Sequence, residues 1–169
     1  MVRMILIGAA LVLAACSQSE TAGATATASA APAGGAAEAR HPVSGLRVID
    51  LEVRGANKAH RFRVEVADTA EAQARGLMYR TELGDFEGMI FPSAQPEPRS
   101  FWMKNTPLSL DIIFVGPDGR ILNIAANTTP YSLEPVSSKG LASAVLELRA
   151  GRAAALGIKP GDAVVYSAQ

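Results

Sequence analysis

The sequence predicts a mainly β fold with two short helices, arranged as a compact β-barrel or sandwich-like single domain. Three features support this class: short segments of alternating apolar and polar residues, turn-forming residues between them, and only two segments with helical spacing. The 169 residues are enough for one domain with appendages. The composition, 49% hydrophobic and 19% charged, is typical of a globular protein rather than a disordered one.

The folded part begins with a predicted hairpin. Apolar and polar residues alternate over residues 49–54 and again over residues 61–66, which indicates two half-buried strands. The turn residues 55–58 connect them. A short helix follows, with Asp68 as its N-cap and Glu71 as the capping-box partner, and it ends near Gly76.

The middle of the chain is predicted to hold several more strands. Residues 88–91 form a short apolar strand, and the prolines that follow, Pro92, Pro96 and Pro98, favour a loop. The later predicted strands span residues 99–104, 110–115 and 120–124, and a Pro-Asp-Gly turn joins the last two.

The C-terminal part completes the predicted domain. Residues 128–140 are loop-like, residues 144–149 form a strand, residues 150–156 form the second short helix, and residues 163–166 form the final strand. Glu147 lies between two leucines and therefore faces away from them, which favours a surface or rim position for its side chain.

The first residues have the layout of a bacterial signal peptide. Arg3 supplies a positive charge, and an apolar run too short to span a bilayer permanently follows it. The segment Leu13-Ala14-Ala15-Cys16 resembles the lipobox, in which the cysteine receives a lipid and becomes the new N-terminus. Residues 1–15 are thus predicted to be a signal peptide, and residues 16–43 a lipidated Cys16 with a flexible linker. Residues 44–169 form the β-rich domain.

This layout predicts a protein of the cell envelope that is anchored to a membrane by lipid. Ser17 follows the cysteine, and the resemblance to enterobacterial lipoproteins then implies the periplasmic face of the outer membrane. An ordinary signal peptide that carries a cysteine near its cleavage site is the alternative.

Charge and residue counts exclude several kinds of partner and site. Lys plus Arg equal Asp plus Glu, at 16 each, so no nucleic-acid-binding surface is expected. Cys16 is the only cysteine and the chain has two histidines, so neither a metal site nor a bound cofactor is expected.

The candidate binding site surrounds the only tryptophan. Trp102 lies close to Lys104, Asn105 and Asp111, and a large aromatic ring beside a cation, an amide and a carboxylate can bind a sugar or a planar ligand. Arg80 is a further candidate for this site. In an alternating strand, Trp102 and Lys104 would point to the same face.

Three functions remain open from these residues. The first is a binding module for a small polar ligand, a glycan or an envelope protein. The second is a hydrolase or transferase in which Asp111 acts as a base and Lys104 stabilises charge. The third is a structural accessory without a ligand, in which Trp102 and Asp111 are buried and Lys104 pairs with Asp111.

The folded part resembles the uncharacterised ancient-conserved-region family, a domain of unknown function. The resemblance covers nearly all of residues 46–166, and the run Phe101-Trp102-Met103-Lys104-Asn105-Thr106 is its most specific motif. It implies a small β-rich single domain, often secreted or membrane-tethered, with no established activity. The further matching segments are Gly76-Leu77-Met78-Tyr79-Arg80, Gly88-Met89-Ile90-Phe91, Leu110-Asp111-Ile112-Ile113-Phe114, Val145-Leu146-Glu147-Leu148 with Ala150-Gly151, and Gly157-Ile158-Lys159-Pro160-Gly161-Asp162.

Overall fold

A computed structural model describes residues 39–167, so the predicted signal peptide, Cys16 and most of the predicted linker lie outside the described residues. The domain is mainly β and has two short helices, as predicted. Its elements in chain order are β1 (Val48–Arg54), β2 (Ala59–Val66), α1 (Ala70–Arg75), β3 (Glu87–Phe101), β4 (Leu110–Val115), β5 (Ile121–Ala125), β6 (Val136–Arg149), α2 (Arg152–Leu156) and β7 (Ala163–Tyr166). Neither helix of this part of the chain is long and apolar enough to cross a membrane.

The strands form one curled sheet in the order β5-β4-β6-β3-β2-β1-β7, which makes a half-barrel. The β1–β2 and β4–β5 pairs are the two predicted hairpins. The edges of the sheet meet at one end, because Ile121 N donates to Asp162 O (2.9 Å) and Val164 N donates to Gly119 O (2.8 Å). Partial closure of this kind shields the unpaired groups of edge strands.

Both faces of the central strands are buried. One apolar cluster includes Val64, Ile113 and Leu146, and the other includes Phe91, Ile112 and Val145. Neighbouring residues of β4 and β6 thus alternate between the two clusters, as the period of a strand requires. Consequently no residue of β4 is exposed.

The three prolines after residue 91 do not end the strand, so the predicted loop is wrong. β3 continues to Phe101, and its pairing with β6 shifts register between Pro92 and Glu97 and again between Pro98 and Ser100. Prolines are tolerated at such irregularities because the ladder needs no N–H donor there. The long antiparallel partner β6, which begins at Val136 within the predicted 128–140 loop, keeps the segment extended.

Two predicted boundaries also change. The N-cap of α1 is Thr69 rather than Asp68, because the Thr69 side chain accepts a hydrogen bond from Ala72 N (3.1 Å). The strand predicted over residues 99–104 ends at Phe101, and residues 102–107 form a loop. Trp102 and Lys104 therefore do not share a strand face.

Residues 40–47 bind to the sheet through a buried carboxylate. Arg80 Nη1 donates to Glu65 Oε1 (2.7 Å), and Ser44 Oγ donates to Glu65 Oε2. His41 Nε2 lies 3.1 Å from Arg80 Nη2. These contacts fix the point at which the chain enters the domain.

Asp111 connects three separate parts of the chain. Its side chain is fully buried, and its Oδ1 accepts hydrogen bonds from Asn127 N (2.9 Å) and Gly151 N (3.1 Å). Its Oδ2 accepts from Ala153 N (2.9 Å), in the first turn of α2. A carboxylate suits this position because it accepts several hydrogen bonds and donates none.

We expect Asp111→Asn to destabilise the domain by about 2–3 kcal/mol, because an amide replaces one acceptor oxygen with a donor that faces a backbone N–H. Urea unfolding monitored by circular dichroism measures this change. Asp118→Asn is the matched control: Asp118 accepts one bond, from Arg120 N, in an exposed turn, and we expect a change within about 0.5 kcal/mol. Equal effects of the two substitutions would contradict a connecting role for Asp111.

Candidate functional site

A pocket of about 240 Å³ lies between α1, the end of β3 and the loop that follows it. We call it the Trp102 pocket. The lining residues that matter for its chemistry are Gln73, Arg99, Phe101, Trp102, Thr106 and Glu147. They come from four separate segments, so the site exists only in the folded chain.

Glu147 is the most unusual group of this pocket. Its side chain is buried, and Oε2 has no hydrogen-bond partner among the described residues. Burial raises the pKa of the Glu147 carboxyl from 4.5 to about 8, because the charged form loses its hydration. The carboxyl is therefore mostly uncharged at pH 7, and it can both donate and accept a hydrogen bond.

The sheet places Glu147 at this depth. It lies opposite Met89 on β3 and opposite Ile112 on β4, so it has a strand on either side. β3 and β6 approach so closely there that a Cβ on Gly88 would lie 2.5 Å from the Glu147 carbonyl oxygen. Glu147 thus lies on an interior strand of the sheet, and it lines the Trp102 pocket.

The other buried carboxylates of the described residues are all satisfied. Asp111 accepts three backbone N–H groups, Glu65 is paired with Arg80, and Asp162 accepts from Lys159 N at 3.0 Å. Buried polar groups are nearly always hydrogen-bonded in folded proteins, and exceptions occur at functional sites. The missing partner of Glu147 thus distinguishes the Trp102 pocket from the other cavities.

A larger hollow of about 510 Å³ illustrates the difference. It is lined by Arg40, His41, Glu65 and Phe86, among others. Its buried carboxylate already has Arg80 and Ser44 as partners. The buried carboxylate of this hollow therefore does not need a ligand to complete its hydrogen bonds.

Trp102 is half exposed, with 51% of its surface accessible, although it is the largest side chain in the chain. Its neighbours anchor the loop: Met103 is buried, and Phe101 packs edge-on against Phe91 at 5.0 Å between ring centres. The Lys104 ammonium lies 5.2 Å from the Trp102 ring centre, a cation–π geometry. The indole is thus held on a fixed backbone with part of its surface free.

Arg99 is already engaged by protein groups. Its Nη1 donates to Ser93 Oγ (2.7 Å) and to Glu97 Oε1 (3.2 Å), while Nη2 donates to Gln73 Oε1 (3.1 Å). The guanidinium also lies over the Phe101 ring at 5.4 Å. The Arg99 guanidinium is therefore part of the pocket wall, and its N–H groups are engaged by protein partners.

The structure brings together only part of the predicted site. Lys104 contacts Trp102, and Asn105 follows in the same loop, with its Nδ2 3.9 Å from Met78 Sδ and its carbonyl accepting from Tyr79 N. Asp111 is buried on β4 and its oxygens are directed at backbone donors. Arg80 is directed at Glu65, away from the lining of the Trp102 pocket.

The role of Glu147 is not predicted by the sequence. Its expected orientation, opposite to Leu146 and Leu148, is confirmed, because these leucines belong to one apolar cluster and Val145 to the other. The expected surface or rim position is wrong, since both faces of β6 are covered at this point. The available signal was a single acid inside the run Ala144-Val145-Leu146-Glu147-Leu148. Gln73 and Arg99 carry no comparable signal, whereas Thr106 ends the motif that begins at Phe101.

No group of three or more metal-ligating side chains occurs within residues 39–167. The lining of the pocket offers an aromatic face, polar groups, the guanidinium groups of Arg75 and Arg99, and one buried carboxylic acid.

Comparison with known proteins shows which family the domain belongs to. The profile of the DUF192 family, described as "Uncharacterized ACR", matches residues 51–166. The chain belongs to this family. The match includes every residue singled out in the Trp102 pocket, so the pocket lies within the family domain.

Two solved structures are similar to the chain. A protein of unknown function from Novosphingobium aromaticivorans is 55% identical, with a TM-score of 0.75, covering 78% of this chain and 94% of that one. A protein from Sinorhizobium meliloti, described as a proposed transcription regulator, is 34% identical, with a TM-score of 0.70, covering 72% of this chain and 95% of that one. No curated protein matches the chain.

We expect Glu147 to make the stability of the domain depend on pH. Because its pKa is raised, the folded state keeps a proton that the unfolded chain has lost between pH 4.5 and about 8. The free energy of unfolding should therefore fall as pH rises through this window. Glu147→Gln should remove this pH dependence of the free energy of unfolding. Between pH 4.5 and pH 9 the variant should therefore gain several kcal/mol of stability relative to the wild type. Each tenfold difference in proton affinity between the folded and unfolded states contributes about 1.4 kcal/mol.

Chemical denaturation at a series of pH values measures this difference. Glu134→Gln, at an exposed position, is the matched control and should leave the pH profile of the wild type unchanged. Parallel profiles for the wild type and Glu147→Gln would show that the carboxyl titrates normally.

Proposed function

We propose that this protein is a lipid-anchored component of the bacterial cell envelope whose domain binds a small, uncharged polar ligand in the Trp102 pocket. One observation carries the binding proposal: the buried Glu147 carboxyl, which lacks a partner on Oε2, lies in a pocket beside the half-exposed Trp102. A ligand that reaches Glu147 would supply the missing hydrogen bond. It would also cover apolar surface on the indole ring.

The protonated state of the Glu147 carboxyl supports an uncharged ligand. A cation would have to ionise Glu147, whose charged form is disfavoured by burial. The Arg99 guanidinium is engaged by Glu97 and Gln73, so it adds little attraction for an anion. Thr106 Oγ1, which donates to Lys104 O at 3.1 Å, retains acceptor capacity for such a ligand.

The support for the anchor comes from the sequence alone. The lipobox-like segment ends at Cys16, and a linker rich in Ala, Thr and Ser separates it from the domain. A tether of this type would let the pocket stand clear of the lipid headgroups. The proposed location is the periplasmic face of the outer membrane.

The two alternative functions have less support. A hydrolase or transferase that uses Asp111 as base needs a substrate to reach a side chain that is fully buried and bonded to three backbone N–H groups. A structural accessory without a ligand predicts a buried Trp102, whereas half of this side chain is exposed. Binding is therefore the function that the geometry favours.

The description of the Sinorhizobium meliloti relative raises nucleic acid as a further partner. Phosphate contacts dominate such binding, and they are made mainly by Lys and Arg. This chain has 16 basic and 16 acidic residues. We therefore favour a small ligand over DNA.

Ligand binding in the Trp102 pocket should weaken as pH rises through about 8. The only tryptophan of the chain is in the pocket, so its fluorescence reports on the site directly. We expect small uncharged amides and polyols, tested as a panel on the full chain, to include binders that change this emission at pH 6.5. Their affinity should fall at least about tenfold at pH 9.5, because ionised Glu147 can no longer donate a hydrogen bond.

Glu147→Gln keeps a donor and an acceptor at all these pH values, so the variant should bind with little pH dependence. Glu134→Gln should retain the wild-type profile. If no compound of the panel perturbs Trp102 at either pH, the binding function is wrong.

The anchor has a separate test. Cells that express the chain with a labelled lipid precursor should yield a labelled protein in the membrane fraction, and Cys16→Ser should yield an unlabelled one. Ser17→Ala, a matched change beside the cysteine, should remain labelled. An unlabelled wild-type protein would contradict the anchor without affecting the pocket.

A further inference from the structure

We propose that the ligand of the Trp102 pocket is one sugar ring of a glycan chain, and that adjoining rings lie against Tyr79 and Tyr131. We call Tyr79, Trp102 and Tyr131 the aromatic rim. This inference rests on the proposed binding function, because it names the ligand class of the same pocket.

The three residues of the rim lie on loops that are joined by backbone hydrogen bonds. Tyr79 N donates to Asn105 O (2.8 Å), and Tyr131 N donates to Thr106 O (3.1 Å). Met103 N, next to Trp102, donates to Ser132 O (2.9 Å). The loop that carries Trp102 is thus attached on both sides to a loop that carries a tyrosine.

All three rings are exposed to solvent. The accessible fractions are 68% for Tyr79, 51% for Trp102 and 62% for Tyr131. Aromatic rings with a polar edge or tip bind partners that combine apolar patches with hydroxyl groups. Sugar rings have this character, with C–H groups on their faces and hydroxyls around their edges.

The backbone of these loops holds the tyrosines in costly conformations. Tyr79 and Tyr131 have φ of +62° and +60°, in the left-handed region, where bulky residues are rare. Asn105, between them in the loop network, has φ of +56°. Such conformations persist only where the surroundings enforce them, and they cluster at sites that bind ligands. The surrounding structure therefore holds the backbone at both tyrosines in place.

The interior of the pocket fits a neutral ring with hydroxyl groups. The protonated Glu147 carboxyl can donate and accept a hydrogen bond, and Thr106 Oγ1, whose proton is donated to Lys104 O, can accept one from a sugar hydroxyl. The volume of about 240 Å³ is below the range of about 300–1,000 Å³ that is typical of drug-sized ligands. One ring inside, with the rest of the chain outside against the rim, agrees with this size.

A glycan explains more of these features than an apolar partner does. A protein surface or a lipid surface would account for the exposed rings, but it would leave the Glu147 carboxyl without a hydrogen bond. An anion would select Arg75, the exposed cation of the lining, and would not need the rim. A glycan satisfies the buried acid and covers the rings together.

The experiment is isothermal titration calorimetry of the full chain with a tetramer of β-1,4-linked N-acetylglucosamine. We expect binding that weakens at least about tenfold in Trp102→Ala and about threefold in Tyr79→Ala or Tyr131→Ala, because each substitution removes a stacking surface. Val165→Ala, which truncates an exposed apolar side chain on β7, is the control and should bind as the wild type does. Circular dichroism confirms that each variant folds.

The other outcomes separate the two proposals. If amides or polyols perturb Trp102 fluorescence but neither this tetramer nor maltotetraose binds, the glycan inference is overturned and the binding function stands. If no compound of either kind binds, both are overturned. Tetramer binding that survives Trp102→Ala places the sugar elsewhere and overturns the inference. Binding of inorganic phosphate or lipid vesicles, in the absence of tetramer binding, also overturns it.

Discussion

Two acids on adjacent central strands determine how this domain is built and where it is open. Asp111 on β4 and Glu147 on β6 are one register position apart, since Asp111 lies opposite Leu148 and Glu147 lies opposite Ile112. Their side chains therefore face opposite sides of the sheet. On one side, Asp111 holds the start of α2 and the Asn127 loop against the sheet. On the other side, Glu147 meets a pocket instead of a donor.

This difference separates a structural carboxylate from a candidate functional one. Both groups are buried, and burial alone disfavours a charge. The backbone donors around Asp111 replace the water that it loses, and such a set stabilises the fold. Glu147 has no such replacement on Oε2, so its pKa rises and the acid stays protonated. Such a difference in the surroundings of two buried carboxyl groups is typical of proteins in which one of them has a functional role.

The sequence predicts the fold class well because alternation and turn chemistry are local properties. Both hairpins and the final strand follow from them. The extent of β3 could not be predicted in this way, because its prolines are accommodated only by the irregular pairing with β6. The site was even less predictable. Trp102 and Lys104 stand out in the sequence. The partners of the Asp111 side chain, however, lie 16 to 42 positions away, and those of the Arg80 side chain lie 15 and 39 positions away.

The buried acid and the strained loops also imply that the domain gives up some folding stability in order to bind a ligand. A leucine at position 147 would remove the unpaired polar group and complete the apolar cluster around Val145, and such replacements of buried polar groups are often neutral or stabilising. The left-handed backbone at Tyr79 and Tyr131 likewise adds strain without contributing to the sheet. Glu147 lines the Trp102 pocket, and Tyr79 and Tyr131 lie on loops whose backbones are bonded to the loop that carries Trp102. A bound ligand explains these features better than folding does. Folding alone would favour residues that leave no buried acid unpaired and no tyrosine in a strained backbone conformation.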